Sequence, residues 1–258
     1  MEVGGIIEVG SDWRGVISTA RAWRVDESCV IGASLLYGGG VGYDREEVED
    51  VMSKMQSAMV ALGSVAPAFE LVDVVSGKAV GRDDVFAFVS EDARADGAQC
   101  TATGCHGLLV MFLCVHCPYV KYVEEELARI GRDYSGRIWM VAISANDVEA
   151  YPQDSPEEMK KQAERLGFRF PYLYDETQEV ARAYEAACTP DIFLFDGQME
   201  LVYRGQLDDS RPQRPSGGGN DIPVTGKDLR AAMDAVIAGK RPDPNQRFGV
   251  GCSIKWRE

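Results

Sequence analysis

Cys114 and Cys117 stand three residues apart, with His116 between them and Pro118 next. They close a continuous apolar run, Leu108-Leu109-Val110-Met111-Phe112-Leu113. A run of this length and make-up reads as a buried strand. Pro118 suits the first position of a helix, where a missing N–H costs nothing. The two thiols therefore belong at a strand-to-helix junction, where the positive end of the helix dipole favours a thiolate. That combination is the physical recipe for a redox-active dithiol. The N-terminal cysteine of such a pair, Cys114, is expected to be the exposed, attacking one. His116 should lower its pKa further. Dithiols of this kind have thiol pKa values from about 7 down to about 3.5. Their potentials run from about −270 to about −120 mV, and a histidine before the second cysteine moves the expectation toward the oxidising end.

Two other uses of the same cysteines remain open on sequence alone. One is a zinc or iron–sulfur site completed by Cys100, Cys105 or His106, which would make the chain a metal-binding or metal-delivery protein. The Cys100-x4-Cys105 spacing is looser than usual for zinc. The other is a pair of inert buried thiols. A c-type haem in its usual form is excluded, because Pro118 rather than histidine follows Cys117. Thr189-Pro190 is the second informative site. A proline at the start of a strand beside a thiol site is a candidate cis peptide, with an ordinary trans turn as the alternative.

The elements that must position these groups follow from pattern. Residues 1–43 are hard to read; they carry the glycine run Gly38-Gly39-Gly40, which looks like a flexible connection. Asp44 and Glu47 have capping-box spacing. Val48, Val51, Met52, Met55, Met59 and Leu62 fall at helical spacing and predict an amphipathic helix over about 44–61, packed on the domain that follows. Phe69 to Val75 reads as a first strand and 90–107, carrying Cys100 and Cys105, as a loop insertion. A helix over Pro118 to Ile130 and a strand over Ile138 to Ser144 come next. Ser155, Pro156 and Glu158 supply N-cap, N1 and N3 for a helix to Leu166 that Gly167 closes. Tyr172 to Tyr174 reads as a strand and Thr177 to Tyr184 as a helix. Ile192 to Phe195 and Leu201 to Arg204 form a hairpin about Asp196-Gly197. A last helix starts at Thr225 and stops at Gly239. Strands alternating with helices predict an α/β sheet with covered faces.

Composition narrows the function classes. The chain has 258 residues, 45% hydrophobic and 26% charged, as a folded globular protein should. A net charge of −14 leaves no basic excess for nucleic acid or an anionic membrane. There is no apolar segment long enough for a membrane span. Glu2, Glu8 and Asp12 interrupt any leader-like N-terminus, so a cytoplasmic setting is expected. Seven cysteines, an odd number, do not look like a secreted disulfide framework. No cofactor is called for.

At this level the chain resembles a known family. Cys114-Val-His-Cys-Pro-Tyr, Phe170-Pro-Tyr-Leu-Tyr-Asp-Glu-Thr, Ala187-Cys-Thr-Pro-Asp-Ile-Phe-Leu-Phe-Asp, Tyr203-Arg-Gly and Gly251-Cys-Ser-Ile-Lys-Trp resemble the peroxiredoxin-like (redoxin, AhpC/TSA-like) proteins over about Leu62 to Trp256. The resemblance implies a thioredoxin-like fold, a central mixed sheet flanked by helices. The chain is expected to divide into an N-terminal extension (1–61), a domain (62–239) and a tail (240–258), with nothing of the resemblance carried over to 1–43 or to the Cys100/Cys105 insertion. The resemblance also makes Pro190 a cis-proline facing Cys114. True peroxiredoxins carry a threonine or serine three residues before the cysteine that corresponds to Cys117; here that residue is Cys114. Thiol–disulfide exchange through Cys114 and Cys117 is therefore expected ahead of peroxide reduction. Thr189 would hold a substrate strand through its backbone, and a disulfide-containing protein or small thiol and a thiol electron donor are the expected partners. Cys188 lies two residues before Pro190. Cys252 is expected to fold back as a resolving or auxiliary thiol, or else to serve as a small buried hydrophobe pinning the tail with Trp256.

Overall fold

Gly107–Phe112, six consecutive buried residues, form the strand on which the rest of the sheet is assembled. The computed structural model describes residues 54–86, 105–214 and 217–257. In chain order the strands are β1 (Lys54–Gln56), β2 (Glu70–Asp73), β3 (Ala79–Gly81), β4 (Gly107–Phe112), β5 (Trp139–Ser144), β6 (Tyr172–Tyr174), β7 (Cys188–Thr189), β8 (Asp191–Asp196), β9 (Leu201–Arg204) and β10 (Val250–Ser253). The helices are α1 (Pro118–Asp133), α2 (Pro156–Leu166), α3 (Glu179–Ala183) and α4 (Lys227–Ile237).

Seven strands form one mixed sheet in the order β3-β2-β6-β5-β4-β8-β9. β4, β5 and β6 run parallel and the other pairings are antiparallel. Parallel neighbours need crossover connections, which α1 and α2 provide. A smaller sheet, β1-β10-β7, joins the tail to the edge that carries Thr189. This is the thioredoxin-like fold that the resemblance implies.

Alternation along β4 explains why both faces must be covered. Leu109, Met111 and Leu113 pack with Val120, Val123, Leu127 and Ile130 of α1 and with Leu229, Met233 and Val236 of α4. Leu108, Val110 and Phe112 face the other way, toward Val141, Ile143, Phe193, Phe195 and Tyr184. The Tyr184 ring lies 5.6 Å from both Phe112 and Phe193. Burying each large side chain contributes about 1.5–3 kcal/mol, so β4 is anchored from two sides and its C-terminal end is a fixed platform.

Local signals behave mostly as expected. Pro118 opens α1 with Cys117 at the N-cap. Pro156 opens α2 and Gly167 ends it at φ +63°. Two expectations fail. Ser155 makes no capping bond through its hydroxyl; its N–H donates to the Pro152 carbonyl instead, closing a 3-10 turn over Pro152–Asp154. The helix over 44–61 is absent from its described part. Lys54–Gln56 is a strand paired with β10, and Met55, Met59 and Leu62 are 42–43% exposed, so a helical stripe there would have no core to bury against. Residues 44–53, the extension before them and Cys100 lie outside the described residues. Among the described residues no helix is long and apolar enough to cross a membrane.

Candidate active site

The Cys-x-x-Cys pair sits where β4 hands over to α1, as its sequence demands. Both residues are thiols, and both converge on one residue of the facing loop. Cys114 Sγ lies 3.2 Å from Thr189 Oγ1, and the Cys117 thiol donates to the Thr189 carbonyl at 3.1 Å. The Thr189–Pro190 peptide is cis. The structure thus brings together Cys114, Cys117, Thr189 and Pro190.

It does not expose them. Cys114 is 1% accessible and Cys117 0%, against the expectation of an exposed Cys114. Nor does the helix N-terminus acidify Cys117. Burial pushes that thiol up to about 12, a hydrogen bond with Cys114 adds to the rise, and one with Cys252 opposes it. Desolvation of the charged form outweighs the helix dipole here. Burial also pushes the Cys188 thiol up. A raised folded pKa means stability that is complete below the ordinary thiol value of 9.0 and lost as pH rises above it. There the unfolded chain has released protons that the folded chain still holds. Each thiol adds a slope of up to about 1.4 kcal/mol per pH unit. Thermal melts in reducing buffer should therefore be flat to about pH 8 and fall beyond pH 9. Cys117→Ser should make that fall shallower.

His116 belongs to a second constellation. Asp154, fully buried, is delivered by the 3-10 turn after β5. Its Oδ1 accepts from the backbone N–H of Val115 at 2.8 Å and of His116 at 3.0 Å. Its Oδ2 accepts from His116 Nδ1 at 2.5 Å and Asn146 Nδ2 at 2.8 Å. Burial opposes the charged carboxylate, but the bonds from His116 and Asn146 prevail and hold Asp154 below the usual carboxylate range. An ionised carboxylate can only accept, so His116 carries its proton on Nδ1. The ring is held flat against Tyr151, 8° from parallel with centroids 5.7 Å apart. A sulfur of Cys114, a ring nitrogen of His116 and an oxygen of Asp154 lie within 4.8 Å of one another. The arrangement can take up or donate a proton beside the dithiol.

Sequence reasoning missed Asp154, Asn146 and Tyr151. The only trace was polar residues following an apolar strand. The auxiliary thiols are close by. Cys188 points its thiol at the Pro190 carbonyl, 3.7 Å away. Cys252, 3% exposed, sits on β10 opposite Thr189 and in the same buried cluster as Cys114 and Cys117. Trp256 instead lies under the Arg182 guanidinium, 4.4 Å from the ring centre.

A metal shared with Cys105 or His106 is excluded by geometry. Those residues precede β4 and the dithiol follows it, roughly 20 Å away across six strand residues. Cys114, His116 and Asp154 are close enough to hold an ion. Asp154, however, already spends both oxygens on four N–H donors.

Comparison with known proteins gives the family. Residues 62–204, more than half of the chain, match the AhpC/TSA family. The chain belongs to the AhpC/TSA family. It is 48% identical to a structure of an uncharacterised conserved protein from Geobacillus kaustophilus, covering 80% of this chain and 97% of that one with a TM-score of 0.69. It is 40% identical to a structure of a hypothetical protein from Sinorhizobium meliloti 1021, covering 78% and 98% with a TM-score of 0.66. None of the curated proteins matches it. As an AhpC/TSA protein with a thioredoxin-like fold, the chain is in general terms a thiol-dependent oxidoreductase. The Thr189 hydroxyl lies within hydrogen-bond reach of the Cys114 sulfur.

Proposed function

We propose that this AhpC/TSA protein is a thiol–disulfide oxidoreductase working through Cys114 and Cys117. The observation that carries this is the convergence of both sulfurs on Thr189, beside a cis-proline and a histidine–carboxylate pair. Cys114, as thiolate, attacks a substrate disulfide. A Cys114–substrate bond forms and the other substrate sulfur leaves, taking a proton. Cys117 then gives up its proton and attacks Cys114, closing the Cys114–Cys117 disulfide and releasing the second substrate thiol. Two protein thiols are oxidised and one disulfide is reduced. His116 moves the proton. Thr189 and Pro190 shape the wall against which the exchanging sulfurs lie, and Cys188 and Cys252 are auxiliary thiols. A disulfide-bearing protein or small thiol is the substrate class, and a thiol donor restores the dithiol.

Cys117 as a resting peroxidatic thiolate fits less well, because burial keeps it protonated. Stopped-flow measurements separate the two chemistries. Disulfide turnover lost in Cys114→Ser, with slow and non-saturable peroxide consumption in the wild type, is expected. Rapid saturable peroxide consumption that survives Cys114→Ser and disappears in Cys117→Ser would overturn the proposal.

A further inference from the structure

The edge of β7 is where a substrate strand would pair with the Thr189 backbone. In the structure that edge is occupied by the chain's own tail. β10 runs antiparallel to β7 with Cys252 opposite Thr189 and Ser253 opposite Cys188. The match is close enough to require a glycine: a Cβ at Gly251 would collide with the Thr189 carbonyl. The tail is fastened on both sides of Cys252. Before it, β1 pairs with β10, the Ser57 N–H donates to the Gly249 carbonyl at 3.0 Å, and the Gly249 N–H donates to Ser57 Oγ at 3.0 Å. After it, Lys255 N–H donates to Asn146 Oδ1 at 2.9 Å, and Gln178 Nε2 donates to the Lys255 carbonyl at 2.8 Å.

This fastening places a third sulfur at the dithiol. Cys252 packs in the same buried cluster as Cys114 and Cys117, and its backbone pairs with Thr189, whose carbonyl accepts the Cys117 thiol. A nucleophile held in this way reacts as an intramolecular partner, with the entropy of encounter already lost on folding. Cys114 and Cys117 are 1% and 0% exposed with β10 in place, so a partner already seated inside the fold reaches them without any opening of the site.

We propose that β10 is a built-in substrate strand, and that Cys252 exchanges with the oxidised Cys114–Cys117 pair by attacking Cys117. This rests on the dithiol chemistry proposed above. Cys252 gives up its proton and its sulfur bonds to Cys117. The Cys114–Cys117 bond breaks, and Cys114 leaves as a thiolate with the Thr189 hydroxyl beside it. One disulfide becomes another, so no external oxidant or reductant enters the step. The product locks the tail onto β7 and returns Cys114 to the reduced, attacking form. An oxidised protein thus divides between a Cys114–Cys117 form and a Cys117–Cys252 form.

The test uses the full chain, oxidised with one equivalent of a thiol-specific oxidant such as diamide, then alkylated in acid, digested with trypsin and mapped by mass spectrometry. Wild type should contain the peptide bearing Cys252 joined to the one bearing Cys114 and Cys117. That joined species should be near-complete in Cys114→Ser and at least tenfold lower in Cys117→Ser. Gly251→Ala, which pushes β10 off Thr189, should lower the joined fraction in the wild-type background and speed alkylation of Cys114 in the reduced protein at least tenfold. A Cys114–Cys117 disulfide with normal turnover but no link to Cys252 in wild type or Cys114→Ser would overturn this proposal alone. Absence of both the Cys114–Cys117 disulfide and disulfide turnover would overturn the exchange chemistry beneath it.

Discussion

Asp154→Ala should cost about 3–5 kcal/mol, because several hydrogen-bond donors lose their one shared acceptor. The residue is fully buried and accepts four N–H bonds, from Val115, His116, His116 Nδ1 and Asn146. Truncation strands all four donors at once, and each buried donor left unmet costs about 1–3 kcal/mol unless water reaches it. For a domain of this size each kcal/mol lowers Tm by roughly 2–4 °C, so a drop of about 10 °C is expected. Disulfide exchange should also slow, by about 10²-fold, the lower end of what a positioned proton donor contributes. His116 would lose the partner that orients its ring. Asp154→Asn keeps the volume and one acceptor oxygen, so its stability loss should be about half as large. The sign with pH follows from a depressed carboxyl. Its stabilisation is present above the ordinary value of 3.8 and disappears as pH falls through the lower folded value. Melts of wild type and Asp154→Asn should therefore converge toward pH 3. A gap of constant size from pH 7 to pH 3 would show that Asp154 does not act as the anionic acceptor.

Asp154 also marks the boundary of what the chain reveals before folding. The dithiol was legible because every part of its signal is local: an apolar run long enough for one strand, then two cysteines three apart, then a proline at N1. The same holds for Tyr172–Tyr174 and for the hairpin about Asp196-Gly197, where a run of apolar residues meets a turn dipeptide. Asp154 lies 38 residues from His116 in a Pro-Gln-Asp-Ser-Pro stretch that looks like the approach to any helix. What recruits it is the 3-10 turn, formed when Ser155 bonds backward to Pro152 rather than capping α2. The helix expected over 44–61 failed for a related reason. Met55 and Met59 have helical spacing, but Lys54–Gln56 is claimed as a strand by a partner near the other end of the chain. Periodicity reports what a segment does alone, and a distant strand edge overrides it. The burial of Cys114 is likewise a property of the whole fold, since its sulfur meets the hydroxyl of Thr189 from 75 residues further along the chain.

Arg204→Met should be nearly as damaging as Asp154→Ala, again by about 3–5 kcal/mol, although Arg204 touches neither sulfur. Its side chain is completely buried on β9. Nη2 donates to the Glu185 carbonyl at 3.0 Å and to Asp191 Oδ2 at 3.3 Å, and the guanidinium lies 4.4 Å from the centre of the Phe193 ring. The same Asp191 oxygen accepts the Ala187 N–H at 3.0 Å. Arg204 and Asp191 together brace the turn that carries Cys188, Thr189 and Pro190. Burial drives the Asp191 carboxyl up and Arg204 opposes that rise. Without the guanidinium the folded value climbs further. A raised carboxyl means stability that is complete below the ordinary value and lost as pH increases through the folded one. The deficit of Arg204→Met should therefore widen between pH 4.5 and pH 8, as read from urea midpoints. Adding Asp191→Asn removes the stranded charge and should recover part of the loss, the signature of a coupled pair. A deficit that is the same at both pH values, and no recovery in the double variant, would assign the contribution of Arg204 to its packing over Phe193 rather than to its charge.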